Sequence, residues 1–504
     1  MELLNYLMLG FLVAFQPLNL LYCFVGVLIG TLVGVLPGLG PSAAIALLLP
    51  ATFHTTPVAS IIMLSGIYYG AMYGGSTTSI LVNIPGEAAS VMTCLDGYQM
   101  ARQGRAGPAL GISAFGSFIA GSFGIIGLML IALPLVDFAL KFGPPEYFSL
   151  MILGLTVLTF LTSVSMVRAL MMAVFGLILG TIGLDEVSGM ARFTFHIAEL
   201  LDGVGLVPMV MGLFGISEVL LNIELKIKRE VFTTKVKGLL PTVEDWGRSI
   251  WSILRGTVIG FLLGILPGGG AAIASFIAYA IEKRVSKNPE DFGKGMIEGV
   301  AAPESANNSA AQGAFIPLLT LGIPSNVVMA MLLGALIIHG VTPGPLLLSQ
   351  HPEIFWGVVA SMYVGNAMLL ALNLPLIGMW VQLLKVPYPI LFPLIILFCL
   401  IGSYSINNSA TDVAIMLIFG MIGYLMKKLS LEAAPLVLAF VLGPMMEMAL
   451  RQSLIKSQGT FLIFFTRPIS AACLLLAIAL LVVPLLPWLR RSRRATALGK
   501  GETI

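Results

Sequence analysis

The chain has 504 residues, 58% of them hydrophobic and 10% charged, with a mean hydropathy of +0.99; a soluble domain carries about 25% charged residues. Apolar runs longer than about 18 residues recur from Leu18 to Trp488, which excludes a soluble enzyme and describes a polytopic helical membrane protein in a lipid bilayer. The net charge of +3 gives no sign of nucleic acid as a partner, because the basic residues lie in loops that membrane orientation accounts for. Cys23, Cys94, Cys399 and Cys473 lie in or near apolar stretches and form neither a disulfide framework nor a metal-ligand spacing. The first apolar run lacks a basic flank and a small-residue cleavage site, so no removable signal peptide is read.

Residues 1–17 read as an interfacial segment. An apolar segment then breaks at Pro37-Gly38-Leu39-Gly40 and resumes through Ser42, and a second, residues 58–101, breaks at Asn83-Ile84-Pro85-Gly86. Spans follow near 108–134, 147–163, 167–184 and 200–221. After a basic stretch the pattern returns: Gly30 to Ala44 aligns without gaps on Gly260 to Ala274, with identities at Gly30, Leu32, Gly34, Leu36, Pro37, Gly38, Gly40 and Ala44. The second copy breaks at Pro267-Gly268-Gly269-Gly270, then again at Gly322-Ile323-Pro324-Ser325 within 299–338, and Phe419-Gly420 answers Phe175-Gly176. Further spans fall near 353–382, 388–403, 410–426, 430–447 and 460–488. The chain divides into repeat 1 (18–221), a cytoplasmic linker (222–249), repeat 2 (250–447) and a final transmembrane helix with a basic tail (448–504).

Loop charge sets the orientation. Lys and Arg crowd both flanks of residues 251–282, whereas 1–17 and 52–57 carry none, so the second segment enters and returns from inside and the first from outside. Arg102 and Arg105 end one broken segment inside; the loop with His339 and His351 ends the other outside. The expected fold is therefore an all-α polytopic membrane protein of two inverted repeats, each with a re-entrant hairpin, a broken helix and further spans, plus a C-terminal helix. Its C-terminus is cytoplasmic, where Arg490 to Arg494 read as an anchor on anionic headgroups.

Proline and glycine breaks leave backbone groups unpaired, which hydrocarbon does not tolerate, so the breaks face protein or a water-filled cavity. Paired interrupted segments in two halves point to a transport site. Polar residues gather there: Ser42; Ser76, Thr77, Thr78 and Ser79; Asn83; Asn307, Asn308 and Ser309; Ser325 and Asn326. With Gly38, Gly40, Pro85, Gly86, Gly268, Gly269, Gly270 and Pro324 they form the candidate substrate- or cation-binding set. Any single hydroxyl of Ser76 to Ser79 has a competing structural role, bonding its own helix backbone. Apart from flanking residues at the cytoplasmic ends, the broken segments hold no Lys or Arg, and few acids: Glu87, Asp96, Glu282 and Glu304. Half-helix N-termini favour a carboxylate by about 0.3–1 kcal/mol each, less than the several kcal/mol of dehydrating an ion. A bound cation, Na+ or H+, is the natural supplement, and no other cofactor is called for. Asp412 either pairs with a polar neighbour or binds a cation. Tyr404, Ser405, Asn407 and Asn408 either line the cavity or form a short outer loop.

The runs Gly34-Val-Leu-Pro-Gly-Leu-Gly-Pro41, Tyr69-Gly-Ala-Met-Tyr-Gly-Gly-Ser-Thr-Thr78, Asn83-Ile-Pro-Gly-Glu87, Ala302-Pro-Glu-Ser-Ala-Asn-Asn308 and Leu318-Leu-Thr-Leu-Gly-Ile-Pro324 resemble the large membrane subunit (TctA family) of the tripartite tricarboxylate transporters. The resemblance implies a secondary transporter of the bacterial inner membrane, taking up citrate or another organic carboxylate on a sodium or proton gradient. It also implies two partners, a small membrane subunit and a periplasmic solute-binding protein, and leaves a homodimer open. Against this stand an ion-coupled permease for a non-carboxylate solute and a channel, which would need a continuous polar lining. An intramembrane enzyme would need a nucleophile with its base or a metal cluster, and the sequence offers neither.

Overall fold

The computed structural model describes residues 2–36, 40–162, 165–185, 187–225, 238–383 and 388–482. Pro37, Gly38 and Leu39 of the first tip, most of the basic linker, Lys385 and the basic tail lie outside these residues. The first half contains α1 (Glu2–Ala14), α2 (Pro17–Val35), α3 (Pro41–Leu48), α4 (Pro57–Val82), α5 (Val91–Arg102), α6 (Ala106–Ala139), α7 (Pro144–Leu161) and α8 (Met166–Leu179). A two-residue hairpin pairs β1 (Gly183–Leu184) with β2 (Ala191–Arg192). The half closes with α9 (Leu206–Val210), a π-helical stretch (Met211–Ile216) and α10 (Ser217–Leu225). The second half contains α11 (Val243–Ile265), α12 (Gly270–Val285), α13 (Glu298–Gly313), α14 (Phe315–Leu321), α15 (Val327–Ile338), α16 (Leu347–Gln350), α17 (Pro352–Asn373), α18 (Ile377–Leu383), α19 (Tyr388–Asn407), α20 (Ala410–Lys428) and α21 (Ala433–Lys456). The short α22 (Ile463–Thr466) and α23 (Pro468–Val482) follow.

Proline opens α2, α3, α4, α7 and α17, where its fixed φ suits the first turn and its missing N–H is no loss. Among the described residues, nine helical runs are long and apolar enough to cross a bilayer: α2, α4, α6, α7, Leu206–Glu224, α11, α17, α20 and α21. The chain is a multi-pass all-α membrane protein. Most expected spans fall on helices, with four main differences, the first being that residues 460–488 hold the short α22 and α23, broken at Arg467 and described only to residue 482. Residues 106–139 form one helix through Pro134. The 353–382 span divides into α17 and α18 at Leu374. The last span of the first half carries a π segment.

Glycines four apart set the central packing. A Cβ on Gly26, Gly30 or Gly34 of α2 would lie 2.3, 2.5 or 2.3 Å from a backbone oxygen of α4, at Met63, Ile67 and Ala71. On α11, Gly256, Gly260 and Gly264 stand 2.4, 2.2 and 2.3 Å by the same measure from the carbonyl oxygens of Ala302, Ala306 and Ala310 on α13. Small residues let membrane helices approach at backbone distance, where dispersion and backbone contacts replace the absent hydrophobic drive. Each pair then takes a long helix from the opposite half: α17 packs on α4, and α6 on α13. Outside this core α8 packs on α21 and the π segment on α20. Gly176 meets Leu436 at the first contact, and Gly212 and Gly420 meet Met416 and Ile216 at the second.

Candidate functional site

Both broken helices end in left-handed caps, Asn83 at φ 58° and Gly322 at φ 72°. Beyond Asn83 the chain runs through Pro85 and Gly86 to Glu87, whose carboxylate accepts from the N–H of Ala89 at 2.5 Å and caps the turn into α5. A Cβ on Gly86 would fall 2.0 Å from Gly34 O and 2.5 Å from Gly75 Cα, so only glycine fits this break against the end of α2. Thr78 Oγ1 donates to Val35 O at 2.7 Å and satisfies a terminal carbonyl of α2. In the second half Gly268 N donates to Ser325 O at 2.9 Å, joining the tip of the α11–α12 hairpin to the second break. Asn326 caps α15 by accepting from Met329 N at 3.0 Å, and its amide nitrogen donates to Tyr68 Oη at 3.3 Å.

Two carboxylates that the sequence reading counted but gave no role lie between the halves. Glu304 of α13 is fully buried. It accepts from Ser76 Oγ at 2.5 Å on one oxygen and from Thr93 Oγ1 on the other. Asn307, three residues on, donates from Nδ2 to Glu87 Oε1 at 3.3 Å, while its buried Oδ1 has no partner. Asn308 Nδ2 donates to Ser117 Oγ at 2.7 Å and to Glu304 O at 3.1 Å, and Ser309 Oγ to Thr257 O at 2.8 Å. Ser79 bonds its own helix at Gly75 O, 2.9 Å. Ser76 and Thr77 line a small pocket with Tyr73, Ser113 and Asn373. Asn373 Oδ1 is buried without a partner, and Tyr73 Oη donates to Asn366 Oδ1 at 2.7 Å.

The structure thus brings Ser76 and Asn307 together with Glu87 and Glu304, and sets Thr77 beside Ser76 in the pocket lining. It ties Gly268 to Ser325, sets Asn326 against Tyr68, and gives Thr78, Ser79, Asn308 and Ser309 backbone or cross-helix partners. Gly269 packs on Leu263 and Leu266, and Gly270 opens α12 at φ 55°. Gly40 caps α3 and Ser42 stands in its first turn. Gly38 is not among the described residues. Asp412 Oδ2 accepts from Asn407 Nδ2 at 2.9 Å, so it pairs with a polar neighbour, and Tyr404 and Ser405 are exposed on the same helix end. Among the described residues there is no cluster of three or more His, Cys, Asp or Glu that could hold a metal ion. The available signal for Glu304 was that an ionisable residue inside an apolar segment is functional by default. No motif marked Asn366 or Asn373.

Residues 20–438 match the family described as the tripartite tricarboxylate transporter TctA family. The chain is 52% identical over 493 residues to an uncharacterized 52.8 kDa protein of the TAR-I ttuC' 3' region of Agrobacterium vitis, covering 98% of each chain. It is 53% identical over 234 residues to an uncharacterized protein of the TAR-II ttuC' 3' region of the same organism, covering 46% of this chain and 97% of that one. No solved structure matches the chain. A match across residues 20–438, which takes in both broken helices and the carboxylates between them, means that the chain belongs to the TctA family, the large subunit of the tripartite tricarboxylate transporters.

Proposed function

We propose that the protein carries an organic carboxylate inward across the bacterial inner membrane, coupled to a cation and by alternating access. The carrying observation is the polar junction between halves, where Ser76 and Glu87 of the first meet Glu304 and Asn307 of the second. As a component of a tripartite transporter it works with a small membrane subunit and a periplasmic binding protein, and the latter would deliver the acid. The acid would sit in the pocket lined by Tyr73, Ser76, Thr77, Ser113 and Asn373, which offers hydroxyl and amide groups and no base. The reciprocal packing, α17 on α4 and α6 on α13, supports two inverted repeats that enclose a shared site. The break glycines support re-entrant hairpins.

Uptake of labelled citrate and a panel of dicarboxylates into cells tests this, with the chain alone and with its two partners, with and without sodium. Accumulation of one acid only with both partners, abolished when the sodium and proton gradients are collapsed, is the expected result. Undiminished concentrative uptake after both gradients collapse sinks the coupling. No uptake of any acid by a correctly inserted complex sinks the carboxylate assignment.

A further inference from the structure

Most buried acids in this protein have an arginine or a set of fixed donors, and Asp412 has the amide of Asn407. Arginine pairs with Glu146 at 2.5 Å, Glu282 at 2.6 Å, Asp245 at 2.5 Å and Asp185 at 2.6 Å. Asp96 receives three backbone N–H groups, from Gly293, Gly295 and Met296, and the Tyr279 hydroxyl. Glu304 and Glu87 stand apart as two acids from opposite halves that share one junction with no base in it. No Lys, Arg or His forms an ion pair with either among the described residues, and their partners are neutral hydroxyls and amides. A carboxylate taken out of water without a counter-charge is strongly disfavoured. Bonded to Glu87 and three residues along α13 from Glu304, Asn307 presents a buried amide oxygen that accepts from nothing, an atom with lone pairs to offer a cation.

We propose that Glu87 and Glu304, with the amide oxygen of Asn307 beside them, hold the monovalent cation that accompanies the substrate, and that Ser76 couples its binding to that of the acid. Ser76 has one hydroxyl proton. In the structure it is given chiefly to Glu304 at 2.5 Å, with Met72 O a longer acceptor at 3.3 Å, yet the same side chain lines the pocket. Once a cation neutralises Glu304, the hydroxyl is released to donate to an organic anion. With Glu304 bare, the pocket instead faces a negative carboxylate and a hydroxyl whose hydrogen is taken. Cation and anion therefore favour each other's binding, as linkage requires. Glu87 is the entry point: it is partly buried, and Asn83 and Ala88 beside it are exposed. The titratable groups that face the pair are Tyr68 and Tyr73 from α4 and Cys94 from α5. Asp96, Tyr279, Glu282, Arg255, Glu298 and Arg248 on α5, α11, α12 and α13 are bonded among themselves or to nearby backbone.

The coupling role rests on the transport reading; the cation site itself is tested without substrate. The purified chain is melted in N-methylglucamine chloride against sodium chloride, and across pH 5 to 8, with the two ions as the only probes. The wild type is expected to gain thermal stability with one of them. A sodium response at fixed pH identifies Na+, and a pH response without sodium identifies H+. Glu87→Gln and Glu304→Gln should lose the response or shift its midpoint at least tenfold, while Glu304→Asp, which keeps the charge, retains it and shows that the fold is intact. Ser76→Ala removes the donor that holds the bare carboxylate, so the apparent cation affinity should rise about threefold or more. Wild-type responses in both Gln variants, or no response to either ion in the wild type, overturn the site. A fall in affinity in Ser76→Ala overturns the shared hydroxyl. Either result leaves the uptake experiment, and with it the transport reading, to stand or fall separately.

Discussion

Hydroxyl and amide residues that look alike in the sequence do different work once their partners are known. Thr77 lines the pocket, whereas Asn308 ties α13 to Ser117 of α6. Thr77→Val keeps the shape and removes the hydroxyl, so uptake should fall at least tenfold while membrane abundance and melting temperature stay at wild-type values; unchanged uptake would remove Thr77 from the site. Asn308→Ala strands a buried hydroxyl at a cost of about 1–3 kcal/mol, so it should melt several degrees lower, and a wild-type melt would show that the tie carries no stability. Runs such as Ser76 to Ser79 mark a polar stretch without saying which hydroxyl only turns back on its own helix, as Ser79 does, and which also crosses to Glu304, as Ser76 does beside a longer bond to Met72 O. That division depends on the helix that lies opposite, hundreds of residues away.

Breaks and helix starts were legible at the scale of elements because they follow from local chemistry. The second broken segment ends α14 at Gly322 and restarts at Asn326–Val327, and the first ends α4 at Asn83. Proline alone does not give them. Pro134, Pro303, Pro393 and Pro444 stay inside helices, and the Pro303 carbonyl accepts from Ser275 Oγ at 3.0 Å. The partner helix was the illegible part. Glycine spacing at Gly256, Gly260 and Gly264 carried the information that α11 has a close neighbour, but only the packed structure shows that neighbour to be the alanines of α13. Gly260→Ala would put a methyl 2.2 Å from Ala306 O and force the two backbones apart, an overpacking cost of about 1–3 kcal/mol or more. Its folded yield after detergent extraction should drop sharply. Gly247→Ala on the same helix meets nothing within 4 Å and should be neutral or slightly stabilising through helix propensity. Equal yields for the two would rule out close packing at Gly260.

Over the whole molecule the halves are joined at many contacts, among them the junction at Glu304 and an ion cluster around Asp185. Asp185, in the β1–β2 turn of the first half, accepts from Arg451 Nη1 at 3.0 Å and Nη2 at 2.6 Å, and Glu447 bridges Arg451 and Arg192. The Arg451 guanidinium, helped by the backbone N–H groups of Ser188 and Val187, holds the Asp185 carboxyl well below the usual carboxylate range. A carboxyl lowered by folding contributes fully above its unfolded value of roughly 3.9 and loses that contribution as pH falls toward the folded one. The apparent melting temperature of the purified protein should therefore be insensitive to this group above about pH 5 and decline below about pH 4. Asp185→Asn should melt lower than wild type at neutral pH and lose less on acidification, the two curves converging in acid. Curves that stay parallel from pH 7 to pH 3 would show that the cluster does not hold the outer helices together. Since α7, α8, α21 and α23 pack mainly on one another, this cluster would fasten a peripheral unit apart from the core around α4 and α13.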